Sequence, residues 1–145
     1  MSDAALRKAI YDITLERGVP PRIGELAVNA GTPEPAIREG LQRLAAARIV
    51  VLQPENGELL MVPPFSAVPT PFVVHTSRYS AYANCAWDAL GVPVMRRDDA
   101  SIATSCGCCG ESIALSAAAG SAPVGDDIIH FAVPARRWWD DVVFT

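Results

Sequence analysis

The sequence is poor in several features that would each point to a class of protein. It has only two histidines, and its net charge of -4 gives no surplus of Lys and Arg for phosphate binding. No apolar run approaches the roughly 18 residues of a membrane helix. Charged residues interrupt the first 17 positions, so no secretory signal is expected. These absences argue against nucleic-acid and membrane partners and favour a cytoplasmic protein.

What is present is the composition of a folded chain. Half of the 145 residues are apolar and 19% are charged, and the length suffices for one ordinary domain or two small ones. In a reducing compartment, cysteines are better interpreted as thiols or metal ligands than as a disulfide framework. There are four of them: Cys85, Cys106, Cys108 and Cys109.

The first 64 residues have the pattern of three helices followed by a β-hairpin. Asp3 is placed to cap the first helix, Gly31 to end the second, and Thr32 to cap the third. Asn56-Gly57 is a strong hairpin signal. The predicted elements are helices at about 5–17, 23–30 and 33–47, and strands at 49–52 and 59–62.

This layout predicts a winged helix-turn-helix module over residues 1–64, with two interpretations. In one, the third helix reads DNA; in the other, the module only packs against the rest of the protein. Residues 1–64 hold seven Lys/Arg against eight Asp/Glu, a net charge of -1. The third helix begins with an acid and two prolines, at residues 33–35, where a DNA reader would present base-contacting side chains. We therefore favour the packing module.

The second half, residues 65–145, predicts a small, mostly antiparallel β domain with one helix. Four prolines within residues 63–71 indicate a stiff extended connector. One helix is predicted from about Ser80 to Leu90, closed by Gly91 and Pro93. The predicted strands are 72–75, 101–104, 112–115, 128–133 and 142–144. The fold class is therefore predicted to be α+β.

The predicted helix carries a thiol and a carboxylate three residues apart, Cys85 and Asp88, which places both on one face. A thiolate binds soft metals, and a neighbouring carboxylic acid can deliver a proton. Together they suit the cleavage of a metal–carbon bond. From spacing alone, however, a cysteine on an Ala-rich helix is more often a small core residue.

Two longer runs resemble the organomercurial lyase (alkylmercury lyase) family. They are residues 82–93, YANCAWDALGVP, and residues 130–141, HFAVPARRWWDD. The resemblance implies an enzyme that cleaves a small organomercury substrate to a hydrocarbon and Hg(II), with small cellular thiols as partners and no cofactor required. It implies that Cys85 captures the mercury and that Asp88 relays the proton, both contacting the metal.

The same resemblance implies a second mercury-binding cysteine, in a strand that follows the region matching Trp138 to Phe144. The sequence ends at Thr145, about where that cysteine is expected, so we expect a C-terminal part of the family to lie outside it. Without a second thiolate, capture of Hg(II) without cleavage is the first alternative function. A metal-responsive DNA-binding regulator is the second.

The turn Cys106-x-x-Cys109-Gly resembles half of a zinc knuckle. A structural zinc needs four ligands, and the remaining cysteines and the two histidines, His75 and His130, stand at no recognisable spacing. We therefore favour a surface loop of reduced thiols that serve as accessory mercury ligands, with zinc as the alternative. His75 and His130 are each interpreted as hydrogen-bonded sheet residues. The pair Trp138-Trp139 is interpreted as core packing on a helical turn.

Overall fold

The computed structural model describes residues 1–119, 121 and 128–143, which form four α-helices, seven strands and one 3-10 helix. The helices are α1 (Asp3–Arg17), α2 (Ile23–Ala30), α3 (Glu34–Ala46) and α4 (Ala86–Arg96). The strands are β1 (Val51–Leu52), β2 (Leu59–Val62), β3 (Phe65–Ser66), β4 (Val73–Thr76), β5 (Ser80–Ala83), β6 (Ala100–Ser105) and β7 (Ser112–Ala117). The 3-10 helix spans Ala135–Asp140.

The first three helices lie where the sequence predicts them, but two of their caps are shifted by one residue. Ser2, not Asp3, caps α1, and its hydroxyl accepts a hydrogen bond from the amide of Ala5 at 3.3 Å. The Asp3 carboxylate is instead 2.9 Å from Arg43 on α3, so it ties the two helices together. Pro33, not Thr32, precedes the first residue of α3. The expected left-handed end of α2 at Gly31 is confirmed.

All seven strands form one antiparallel sheet in the order β1-β2-β3-β5-β4-β6-β7. The predicted hairpin is confirmed as β1 and β2. Residues 63–71 are not a connector throughout, as predicted, because β3 lies within them and pairs with both β2 and β5. Burial explains this, since the Phe65 side chain is fully enclosed. The predicted α+β class, with an antiparallel sheet, is confirmed.

The helix predicted from Ser80 to Leu90 is wrong at both ends. Residues 80–83 form β5, in which Ala81 and Ala83 are buried and their neighbours are exposed, the alternation of a strand. Helix α4 starts at Ala86 and continues past Gly91 and Pro93 to Arg96. Pro93 is buried inside it, and packing offsets the helical hydrogen bond that a proline cannot make.

Two predicted strands near the end of the chain are also absent from the described residues. Residues 128–133 pair with no strand among the described residues, and none of the six is buried, so they lack the covered face of a sheet strand. Residues 142–143 form a turn, and position 144 lies outside the described residues. The predicted helical turn around Trp138-Trp139 is confirmed as the 3-10 helix.

Two apolar clusters hold the described part of the chain together. One lies between α1, α2, α3 and the β1–β2 hairpin, and the other lies between α4 and strands β3 to β7. Hydrogen bonds join the two, including one from the Tyr11 hydroxyl to the carbonyl of Pro63 at 2.9 Å and one from Arg96 to the carbonyl of Leu15 at 2.8 Å. No helix among the described residues is long and apolar enough to cross a membrane.

Candidate active site

Cys85 lies at the junction between β5 and α4, where it is the N-cap of the helix. Its backbone is extended, and its Sγ accepts a hydrogen bond from the amide of Asp88 at 3.4 Å. This is the position that Ser or Thr usually occupies to satisfy the free amides of a first helical turn. The cap therefore fixes the thiol beside the residue three positions later. The structure brings the two residues selected from the sequence together.

The Asp88 carboxyl is half-buried and has one polar partner on the adjoining loop. The side-chain amide of Asn84 donates a hydrogen bond to Asp88 Oδ2 at 2.8 Å. Burial raises the pKa of Asp88 above its ordinary value, and the hydrogen bond from Asn84 lowers it by less. Asp88 is therefore held toward its protonated form, as a proton donor must be.

The Cys85 thiol is also held toward its neutral form. Burial raises its pKa most, the charge of Asp88 raises it further, and hydrogen bonds from the amides of Asp88 and Trp87 oppose the rise. A further neighbour, Tyr11, has a raised pKa, chiefly from its own burial and slightly from the charge of Asp88. Both pKa shifts favour the neutral forms, and the thiol becomes a thiolate ligand when a soft cation displaces its proton.

Cys85 and Asp88 open into a cavity of about 220 Å³ whose walls are mainly apolar. Its walls come from three parts of the chain that are far apart in sequence. The lining residues are Val51, Met61 and Pro63 from the hairpin region, Asn84, Cys85, Trp87 and Asp88 from the start of α4, and Phe131, Trp138, Trp139, Val142 and Val143 from the C-terminal segment.

The C-terminal segment is held over the cavity by its aromatic residues. The indole N–H of Trp138 donates to the carbonyl of Val133 at 2.8 Å, and the Trp138 ring lies 4.8 Å from that of Phe131. The Arg48 guanidinium lies 5.4 Å from the centre of the Trp139 ring. The interpretation of Trp138-Trp139 as core packing is wrong, because no residue of the 3-10 helix is buried and Trp139 is 39% exposed. The two rings form a wall of the cavity instead.

The other cysteines and the histidines considered from the sequence lie elsewhere. Cys106 and Cys109 are at the turn between β6 and β7 and do not line the Cys85 cavity. His75 is in β4 and its Nδ1 is 2.7 Å from the hydroxyl of Ser80, as expected of a hydrogen-bonded strand residue. His130 is not in a strand, which corrects its predicted location, because residues 128–133 make no ladder.

Sequence reasoning overlooked Asn84. Its Nδ2 contacts Asp88, while its Oδ1 is buried without a hydrogen-bond partner among the residues described. The available signal was the i, i+4 spacing of an amide and a carboxylate. Within residues 1–119, 121 and 128–143, no three His, Cys, Asp or Glu side chains are grouped to hold a metal ion.

Comparisons with known proteins identify the family and a similar fold. The family model described as alkylmercury lyase matches residues 65–145, more than half of the chain. A solved structure, the mercury-bound form of MerB2, shares the fold with a TM-score of 0.63 at 18% identity, covering 85% of this chain. The chain spans 58% of the length of that protein. No curated protein matches the sequence. The chain belongs to the alkylmercury lyase family.

Proposed function

We propose that this protein cleaves the carbon–mercury bond of a small organomercury compound by protonolysis. As the Cys85 sulfur bonds to mercury, it displaces the metal's other ligand, which leaves with the thiol proton. The Asp88 carboxylic acid then donates its proton to the carbon. The carbon–mercury bond breaks with its electron pair going to the new C–H bond. The hydrocarbon leaves, and Hg(II) remains between the Cys85 thiolate and the Asp88 carboxylate.

The observation that carries this proposal is the placement of a carboxyl group of raised pKa beside a capped thiol in an apolar cavity. General acid catalysis needs the acid protonated at working pH, and the raised pKa of Asp88 favours that form. An apolar cavity of about 150 Å³ can take benzene, so the 220 Å³ available here has room for a phenyl group.

The alternative of capture without cleavage is favoured by one observation. Among the described residues that line the cavity, Cys85 is the only cysteine. For the cleavage reaction, we propose that a small thiol supplies the second sulfur ligand of Hg(II) and carries the ion away by ligand exchange. Such thiols are abundant in the cytoplasm, where we place the reaction.

We further propose that the N-terminal region, residues 1–64, is a winged-helix-like module that packs rather than reads DNA. Two arginines of α3 are engaged with neighbours: Arg38 with Glu34 at 3.7 Å, and Arg43 with Asp3 at 2.9 Å. The hairpin of this module supplies Val51 and Met61 to the cavity. Its role is therefore to build one wall of the site.

The test is to incubate the protein with phenylmercury and an excess of small thiol, and to measure benzene. We expect benzene from the natural protein and from Cys108→Ser, a matched control on an exposed thiol, and none from Cys85→Ser. Stoichiometric mercury binding without benzene in the natural protein would overturn cleavage and leave capture. Salt-dependent DNA binding would overturn the packing role of the N-terminal module.

A further inference from the structure

The turn between β6 and β7 brings thiols together outside the Cys85 cavity. The hairpin closes with the amide of Cys106 donating to the carbonyl of Glu111 at 2.8 Å, and the amide of Gly110 donating to the carbonyl of Cys106 at 2.8 Å. Gly110 has a left-handed φ of 75°, which lets the chain fold back. We call residues 106–109 the thiol turn.

Within the thiol turn, the side chains of Cys106 and Cys109 are hydrogen-bonded to each other. The Cys106 sulfur accepts hydrogen bonds from the amides of Cys109 and Cys108 and from the thiol of Cys109, and these lower its pKa. Cys106 is half-buried, while Cys109 is exposed. The turn therefore presents a pair of thiols to solvent, and the hydrogen bonds that the Cys106 sulfur accepts would stabilise a thiolate there.

The number of donors decides which cation could bind. No third His, Cys, Asp or Glu joins this pair in a metal-binding group within the described part of the chain, so the four ligands of a structural zinc are not assembled. A soft cation that takes two sulfurs in line needs no third ligand. The thiol turn matches such a cation.

We propose that Cys106 and Cys109 form a second metal site, separate from the Cys85 cavity, that holds one Hg(II) ion as a bis-thiolate. The site itself follows from the paired thiols. The choice of Hg(II) among soft cations rests on the proposed function, which produces that ion. Hg(II) arrives bound to two small thiols, the two cysteine sulfurs replace them, and each departing thiol takes the proton of the cysteine that displaces it.

The position of the thiol turn suits an acceptor of the product. A second cavity, of about 610 Å³, is lined by Cys106, Cys108 and His130 and extends to Ala86, the residue next to Cys85. This cavity therefore reaches from the first turn of α4, next to Cys85, to the thiol turn.

The test uses the full chain carrying Cys85→Ser, which removes the first site. Cys106→Ser, Cys109→Ser and Cys108→Ser are added singly, with Cys108→Ser as the matched control. Reduced, reductant-free protein is titrated under nitrogen with Hg(II) buffered by a small thiol, and bound mercury is counted by native mass spectrometry. We expect one ion per monomer, about a hundredfold weaker binding for Cys106→Ser and Cys109→Ser, and little change for Cys108→Ser.

Three results would overturn the second site: no ion bound by the Cys85→Ser protein, equal loss in all three variants, or mercury found only bridging two chains. Failure of the proposed function is distinguishable. If the natural protein releases no benzene while Cys85→Ser still binds Hg(II) through Cys106 and Cys109, the second site stands alone. If benzene is released but the turn binds nothing, only the second site fails.

Discussion

Replacing Asn84 with alanine should move the pH dependence of cleavage without unfolding the protein. The variant loses the 2.8 Å hydrogen bond to Asp88, and a hydrogen bond between neutral groups contributes about 0.5–1.5 kcal/mol. The variant also removes Asn84 Oδ1, which is buried without a hydrogen-bond partner among the described residues. Burying such an atom costs about 1–3 kcal/mol, so its removal stabilises the protein. The two terms oppose each other, so the free energy of unfolding should change by no more than about 1 kcal/mol.

The effect of Asn84→Ala on the pKa of Asp88 has no such opposing term. The bond from Asn84 favours the ionised carboxyl and lowers its pKa, so its loss leaves burial to raise the pKa further. Because the acid must be protonated to act, activity falls as pH rises through the pKa of Asp88. In Asn84→Ala this fall should occur at higher pH.

The assay is kcat/KM for phenylmercury as a function of pH, with urea unfolding measured on the same samples. Asn29→Ala, on an exposed residue of α2, is the control and should leave both measurements unchanged. A fall in activity at unchanged or lower pH in Asn84→Ala would refute the role assigned to the Asn84–Asp88 bond. A loss of several kcal/mol in the free energy of unfolding would show that the two terms do not cancel.

Two further predictions concern stability. Gly18→Ala should destabilise the protein more than Gly31→Ala. Both glycines have positive φ, where alanine costs about 1–2 kcal/mol, but only at Gly18 would the new Cβ also clash with a ring, 2.3 Å from Tyr79. Equal unfolding midpoints for the two variants would contradict this. Glu25→Gln should cost about 1 kcal/mol at neutral pH, because Glu25 pairs with Arg17 at 2.8 Å while remaining 46% exposed. Hydrogen bonding to Arg17 lowers the pKa of Glu25 from 4.5 to about 2, so the difference in stability should vanish as pH falls through that range; a constant difference would contradict it.

The elements that local sequence determines were predicted well. Helix α2 has the predicted bounds because an amphipathic run ends at a glycine, and Asn56-Gly57 lies in the predicted hairpin. Residues 80–83 were predicted as helix because small residues fit either structure. Pairing with β3 and β4 on either side made them a strand, and contacts with neighbouring strands leave no pattern within the four residues themselves.

The candidate site likewise has residues that the sequence predicts and walls that it does not. Cys85 and Asp88 could be selected because they lie three residues apart within a run that resembles one family. The walls of the cavity could not be predicted, since Met61 and Trp138 are far apart along the chain and line one cavity only in the folded protein. The capping role of Cys85 was hidden by placing the start of the helix too early.

The central claim is that Cys85 captures mercury and Asp88 supplies the proton. A single-turnover reaction of phenylmercury with excess Asp88→Asn protein tests it most directly, because asparagine keeps the shape but has no acidic proton. We expect the phenylmercury adduct on Cys85 to form as in the natural protein, with benzene release slowed about 10²–10⁴-fold. Benzene release at the natural rate, or no adduct on Cys85, would contradict the account.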